Sequence, residues 1–441
     1  MTGSGDTIFA LASGFGRAGI AVIRMSGSGS RTALESLLAG PLPAPRRASL
    51  RRVREPSSDD ILDEAIILWL PGPGSFTGED QAELHIHGGV AVRAAVLRAL
   101  SGLPGLRPAD PGEFTRRAFL SGRMDLSEVE GLADLIDAET EAQRRQARRQ
   151  LEGALSQKVT SWRDRLADAL ALAEAGLDFT DEADVSASAH LEAQAIFHAV
   201  QLEVEGELAR GRHGERLREG FSVVIAGRPN AGKSTLLNAL ARREVAIVSP
   251  QAGTTRDAIE VRCDLGGLPV TFIDTAGLRE PQDSIEQAGI ERTRSHAREA
   301  DLVLWLTAPD MGDQVDEALA SLPTLRVASK LDTGAATPIA DLAVSAVTGQ
   351  GMDRLIAAVR QRAESGLTGE GDAVITRERH RRALEDVVSA LSRGGEAYRA
   401  GHEELAAEDL RLAVRALGRI TGQVDVEEIL DRIFGQFCIG K

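Results

Sequence analysis

Aromatic residues and cysteines are scarce in this chain. Phe, Trp and Tyr make up only 3% of its 441 residues, with a single tyrosine. Its cores must therefore be assembled from Leu, Val, Ile and Ala. The two cysteines, Cys263 and Cys438, cannot form a disulfide framework, which points to a reducing cytoplasmic setting. No uncharged apolar run approaches the ~18 residues needed to span a bilayer. The best candidate, 65–78, breaks at Pro71-Gly72-Pro73-Gly74. No secretory signal is visible, because Asp6 comes early and Gly14, Gly16 and Arg17 interrupt the apolar start. A basic surplus is also missing. A net charge of −15 disfavours coating nucleic acid through bulk charge. It leaves local contacts by the arginine clusters 46–54, 144–149 and 377–382, each of which otherwise reads as a solvated surface.

The length suggests about three domains. Residues 1–120 alternate short β-type runs (20–25, 65–70, 82–86) with Gly- and Pro-rich loops, and one helical pattern covers 90–100. Along the strand at 82–86, His85 and His87 are expected to face opposite ways, which argues against a zinc site. From Met124 the period becomes helical. Leu126, Val129, Leu132 and Ile136 share a face, and a seam runs through Leu151, Leu155, Val159, Trp162, Leu166, Leu170, Ala173 and Leu177. A second helix is expected over 189–208. Helices resume near Thr376, with Leu384, Val388 and Leu391 on one face and Leu410, Val414 and Leu417 on another. Gly422 is a stop signal, and Asp425 is a cap for a last helix carrying Ile429, Ile433 and Phe437. The seam fits a helical bundle better than a dimeric coiled coil.

Between the helical segments lies the chemistry. A buried-type strand, 221–226, enters Gly227-Arg-Pro-Asn-Ala-Gly-Lys-Ser234, and an amphipathic helix follows at 235–241. This is G-x-x-x-x-G-K-S in the strand–loop–helix context that a phosphate loop requires. Gly227 and Gly232 let backbone N–H groups turn toward phosphates, and the helix N-terminus adds a favourable dipole. The loop residues Asn230, Ala231, Gly232, Lys233, Ser234 and Thr235 are the nucleotide contacts. Lys233 neutralises β- and γ-phosphates, and Ser234 is a ligand for Mg²⁺. Downstream, Gly253-Thr-Thr-Arg-Asp257 supplies a threonine hydroxyl for the Mg²⁺ shell. Asp274, Thr275, Ala276 and Gly277 close a strand at 270–273, where Asp274 can hold Mg²⁺ through water and the Gly277 N–H can meet the γ-phosphate. Guanine choice falls to Ser329, Lys330 and Asp332, since a carboxylate accepts from the guanine N1–H and exocyclic amine, which adenine cannot offer. Serine replaces the usual asparagine of Asn-Lys-x-Asp. Its shorter reach predicts weaker affinity with selectivity kept by Asp332. Ser345 and Ala346 resemble the loop that offers a backbone N–H to the guanine oxygen.

The fold class is therefore multidomain α/β plus all-α: an N-terminal α+β domain (1–121), a discontinuous helical bundle (122–215 and 376–441) and an inserted Ras-like P-loop GTPase domain (216–375). Where many GTPases carry a water-orienting glutamine after Asp-x-x-Gly, this chain has Leu278. Either hydrolysis is very slow or another group acts, and Glu286 is the carboxylate to choose.

These motifs, together with Asp6-Thr-Ile8, Ile23-Arg-Met-Ser-Gly27, Ser75-Phe-Thr-Gly-Glu-Asp80, His87-Gly-Gly89, Pro111-Gly-Glu-Phe-Thr-Arg-Arg-Ala-Phe-Leu120 and the terminal Phe437-Cys-Ile-Gly-Lys441, resemble the MnmE (TrmE) family of tRNA-modification GTPases over essentially the whole chain. The resemblance implies an N-terminal domain that binds folate and forms a homodimer. It also implies a heterotetramer with the FAD-containing partner MnmG, in the cytoplasm and without a membrane. The family adds an aminomethyl or carboxymethylaminomethyl group to carbon 5 of wobble uridine 34 in certain tRNAs, with carbon from 5-formyl- or 5,10-methylene-tetrahydrofolate. Transferred residue by residue, Asn230, Ser249, Gln251 and Thr254 hold K⁺, which G-domain pairing across the dimer orders. Ser234 and Thr255 bind Mg²⁺, with Ser249, Gly253, Thr254 and Thr255 part of the GTP site. Glu286 orients water. Arg24, Glu79, Arg123 (often Lys in the family) and Lys441 contact folate. Cys438 is either a structural thiol or a functional one. Two other readings stand beside this one. In the first, the N-terminal domain is a folate-dependent one-carbon transferase in its own right, although no acid–base pair stands out there. In the second, the chain is a ribosome-assembly GTPase timer, against which the acidic charge and the terminal motif argue.

Overall fold

The computed structural model describes residues 5–14, 16–178, 183–247, 259–274, 298, 300–309, 322–334, 339–367, 373–424, 427–435, 437 and 439–440. They form two compact units, 1–133 with 418–441, and 134–417.

The first unit is built on a six-stranded sheet of β1 (Thr7–Leu11), β2 (Ile20–Ser26), β3 (Ser49–Arg54), β4 (Ile61–Leu70), β5 (Gln81–His87) and β6 (Leu106–Pro108), in the order β3-β4-β5-β2-β1-β6. All its neighbours are antiparallel except β1 and β6. Alternation decides which face is covered. Ala65, Ile67 and Trp69 of β4, and Ala82, Leu84 and Ile86 of β5, pack under the helices Ser30–Leu37 and Val90–Ser101. On the other face lie Glu83, His85 and His87. The expectation that the two histidines diverge is thereby corrected, because residues two apart on a strand share a face. Each meets its own carboxylate: His85 Nε2 lies 3.2 Å from Glu83 and His87 Nδ1 lies 2.7 Å from Asp63. The arginines of 46–54 are largely an edge strand, β3, where charge blunts pairing with a further chain. A small satellite core joins Leu126 and Val129 to Leu430, Ile433, Phe434 and Phe437 near the C-terminus.

In the second unit the seam residues Leu155, Val159, Trp162 and Leu166 are buried on the helix Ala154–Asp178, which packs along Ala183–Glu219. Two details depart from the expected register. Leu151 ends a separate helix, Glu141–Leu151, because Gly153 takes φ +85° between them. Ala169 is buried and Leu170 only partly, since the seam steps by three there. The second helix is far longer than 189–208. The helix Glu378–Arg399 packs against it, so two segments distant in sequence make one bundle. Asp425 lies outside the described residues, and the last helix, Glu427–Phe434, stops before Phe437.

The inserted α/β layer has the strands β7 (Phe221–Gly227), β8 (Ile259–Asp264), β9 (Pro269–Asp274), β10 (Leu302–Thr307), β11 (Thr324–Ala328) and β12 (Leu342–Ala343), ordered β12-β11-β10-β7-β9-β8. Only β8 runs antiparallel. The central strands are apolar on both faces, as a covered parallel sheet demands: all six residues of β10 are buried. The chain enters and leaves this layer side by side. Asp134 Oδ1 accepts from Arg218 Nε (2.9 Å) just before β7 and from Arg377 Nη2 (2.7 Å) just after the layer. Arg381 Nε adds a bond to Glu215 at 3.1 Å. Gly214 leaves room for the Ile375 carbonyl, which a Cβ there would overlap. Gly214→Ala should accordingly cost about 1–3 kcal/mol through overpacking, read as a lowered midpoint in urea with an unchanged slope.

Candidate functional site

The phosphate loop sits where β7, in the middle of the sheet, ends. Ligands of open α/β sheets bind outside the carboxyl ends of the strands, and the loop occupies that edge. Three of its residues have positive φ: Gly227 (+148°), Asn230 (+64°) and Gly232 (+93°). Gly227 has a second reason to lack a side chain, because a Cβ would overlap the Leu306 carbonyl of β10. Asn230 and Lys330 are two of four non-glycine residues with positive φ among the described residues, and both belong to the nucleotide motifs.

Lys233 Nζ donates to the loop carbonyls of Gly227 (2.9 Å) and Arg228 (3.0 Å). Burial holds its ammonium below the ordinary lysine value, against the pull of the Asp274 charge. The helix Lys233–Ala241 starts at this lysine. Ser234 Oγ donates to Asp274 Oδ2 at 2.8 Å, and Asp274 is fully buried at the end of β9. Two hard oxygens are thus neighbours beside the phosphate loop, a donor set suited to Mg²⁺.

At the base-binding end, Ser329 departs from what its short side chain suggested. It is buried, and its Oγ lies 2.7 Å from the Ala231 carbonyl of the phosphate loop and 3.1 Å from the Thr307 carbonyl that ends β10. The hydroxyl therefore ties one nucleotide loop to the other. Asp332 is exposed, with Oδ1 held by Ser345 Oγ at 2.6 Å. The Ser345 N–H is bonded to the Gln350 carbonyl at 2.9 Å. The expected contacts Ser249, Gln251, Gly253, Thr254, Thr255, Thr275, Ala276, Gly277 and Glu286 lie outside the described residues, as do Leu278, Cys438 and Lys441.

In the first unit, of Arg24, Glu79 and Arg123 only Glu79 lines a cleft of this unit. Arg24 pairs with Glu83 at 3.2 Å and lies over the rings of Phe76 (5.7 Å) and Phe114 (5.8 Å). Glu79 Oε2 accepts from Ser26 Oγ (2.7 Å) and Arg117 Nη1 (3.0 Å). Arg123 is exposed, in a loop tied to the Glu79 turn by Ser121 Oγ on the Thr77 carbonyl at 2.6 Å. The C-terminal segment reaches this unit's sheet as well, where Ile439 bridges to Pro111. A cleft of about 440 Å³ opens here, lined by Thr77, Glu79, Glu113, Arg117, Ser121 and Phe434. Its walls bring together a carboxylate, a guanidinium and an aromatic ring. The sequence reading assigned no role to Ser26, Glu113 or Arg117, although the last two stand inside the motif 111–120.

A larger polar cavity, about 550 Å³, lies at the other end of β7 and β9, lined in part by Asp134, Glu139, Arg218, Arg262 and Asp301. Its charges are spent on one another, as in Arg262 with Glu139 at 3.2 Å, and it faces away from the phosphate loop.

Two family models match the chain: "GTP-binding protein TrmE N-terminus" over residues 7–123 and "MnmE helical domain" over 126–438. A curated relative from a Methylobacterium species, the tRNA modification GTPase MnmE, is 60% identical over 439 residues, covering 99% of this chain and all of the relative. The chain belongs to the MnmE family. Members from Parvibaculum lavamentivorans (55% identical over 438 residues) and Azorhizobium caulinodans (52% over 444) match equally completely. Among solved structures, Aquifex aeolicus Era bound to GDP and AlF4 is 24% identical, with 39% of this chain and 66% of that one covered and a TM-score of 0.26.

Two outcomes are expected at the nucleotide site. Lys233→Ala should weaken GDP and GTP binding about 100-fold, the effect of losing a charge-assisted contact. Ser329→Ala should weaken both about threefold to tenfold while guanine stays preferred over adenine, because Asp332 keeps its Ser345 bond. Isothermal titration with GDP, GTP, ADP and ATP checks both. A third outcome concerns Cys263, which is buried on β8 with its thiol pushed up to about 12 by burial. In a Cys438→Ser protein at pH 8 the thiol is protonated and enclosed, so a disulfide reagent should label it only after denaturation.

Proposed function

We propose that this chain is a GTP hydrolase that serves tRNA modification. The observation that carries the reading is the meeting of three elements at one sheet edge: the Lys233 loop, the Ser234–Asp274 oxygen pair and the Ser329–Asp332–Ser345 base contacts. No helix among the described residues is long and apolar enough to cross a membrane.

The residues divide the work. Backbone N–H groups of the phosphate loop and the Lys233 ammonium take the negative charge of the triphosphate. On nucleotide entry Lys233 exchanges two carbonyl partners for phosphate oxygens, so it arrives already desolvated. Bound Mg²⁺ would neutralise charge between the β- and γ-phosphates; Ser234, Thr255 and, through water, Asp274 would hold it. Asp332, kept in place by Ser345, selects guanine. Leu278 cannot orient water, and Glu286 takes that role. Asn230, Ser249, Gln251 and Thr254 would hold K⁺, with the G domains pairing across a homodimer.

In this reading the N-terminal domain (1–121) dimerises and presents a reduced folate through Arg24, Glu79, Arg123 and Lys441. The helical segments (122–215 and 376–441) carry the inserted G domain (216–375). With an FAD-containing MnmG partner the assembly modifies carbon 5 of wobble uridine 34 in the cytoplasm. Full-length similarity to MnmE relatives favours this over a ribosome-assembly timer.

GTP turnover should be at least about tenfold faster in KCl than in NaCl. It should fall about 10²–10³-fold in Glu286→Ala, the scale of losing a positioned water-directing group. Equal rates in the two salts would remove the ion from the mechanism. Full turnover in Glu286→Ala would return that residue to the surface. Wobble uridines of tRNA from cells lacking the protein should carry no aminomethyl-type group.

A further inference from the structure

We infer that Arg117, with Glu113 behind it, is a positioning residue that presents the Glu79 carboxylate to the donor–donor edge of a 2-amino-4-oxo pterin in the neighbouring cleft. This rests on the reading that Glu79 contacts a reduced folate.

The network is a row of alternating charges. Arg107 donates in bidentate fashion to Glu113, from Nη2 to Oε1 at 2.6 Å and from Nη1 to Oε2 at 2.8 Å. Glu113 also accepts from the Asp110 N–H at 2.9 Å. Burial pushes its carboxyl up, but the bonds from Arg107, Asp110 and Arg117 more than offset this and hold it below the usual carboxylate range. Glu113, held by these donors, then receives Arg117 Nη2 at 3.0 Å, and the Asp6 carbonyl receives Arg117 Nη1 at 3.0 Å. These bonds fix the guanidinium plane. The same Nη1 reaches Glu79, 3.2 Å from Oε1 and 3.0 Å from Oε2.

Exposure separates the two ends of the row. The side chains of Glu113 and Arg117 are 10% and 15% exposed, whereas Glu79 is 36% exposed and lines the cleft. A glutamate that open to water would normally sample several rotamers. Here Arg117 grips it on one side and Ser26 Oγ, 2.7 Å from Oε2, on the other. An ionised carboxylate has about four acceptor directions. Arg117 and Ser26 use part of that capacity, and the remainder faces the cleft, where an amine and a ring N–H side by side can donate. A lysine could not replace Arg117, since one ammonium cannot match the planar fork that spans two carboxylates.

The test uses the full-length protein titrated with 5-formyltetrahydrofolate by calorimetry, with thermal melting as a check on folding. Arg117→Met should weaken binding about tenfold, and Arg117→Lys should recover only part of that loss. In a Glu79→Gln background, Arg117→Met should have no further effect on affinity. Three results would overturn the inference. Arg117→Met could bind as tightly as wild type while Glu79→Gln binds weakly, which leaves the folate reading intact. Arg117→Met could cost as much in Glu79→Gln as in wild type, or lower the melting temperature without changing the affinity of the folded protein. Wild-type affinity in Glu79→Gln would instead remove the folate role of Glu79 itself.

Discussion

The nucleotide site depends on how closely two strands approach at the carboxyl edge of the parallel sheet. The first turn of the phosphate loop passes directly over the carbonyl of Leu306, so Gly227 is required for space as well as for its backbone angle. Once that turn is made, positive φ at Asn230 and Gly232 continues the loop, and the helix beginning at Lys233 brings its N-terminal dipole into place. Ser329 then closes the arrangement from the β11 side by bonding to the loop carbonyl of Ala231. Without the tight β7–β10 packing, neither the loop nor the base-binding turn would have a fixed partner.

In both units, many arginines among the described residues meet a carboxylate. Arg144 and Arg145 share Glu141, Arg148 meets Glu152, Arg52 meets Glu64, and Arg382 meets Glu378. Exposed pairs of this kind contribute little stability, about 0–1 kcal/mol each. Their main effect is to neutralise clusters that could otherwise form a phosphate-binding stripe. The partly buried pairs carry the architecture. Asp134 with Arg218 and Arg377, and Arg117 with Glu79, join chain segments that are far apart in sequence, while Glu113 holds Arg107 and Arg117 locally.

Much of this was legible in the chain before any coordinates. Glycine spacing, β-branched runs and the order of motifs locate the phosphate loop, because those features are local and each has one physical cause. Longer-range choices were not legible. Gly153 splits what reads as one seam, and the switch from Leu170 to Ala169 depends on the neighbouring helix, which periodicity does not contain. Strand β3 was hidden by its arginines, since an edge strand lacks the apolar alternation of an interior one. The tie from Ser329 to the Ala231 carbonyl was not legible either, because it crosses from one loop to another. Asp134 gave no local signal at all, and Arg117, although it stands inside the motif 111–120, meets Glu79 only through the fold.

Gly214 meeting Ile375 places the two ends of the G-domain segment against each other. For the host bundle, a guest of some 160 residues attached at such a point costs no more loop-closure entropy than a short turn would. The same junction gives a natural place to excise the guest and reseal the host with a few residues, or to exchange it for another module whose termini lie equally close.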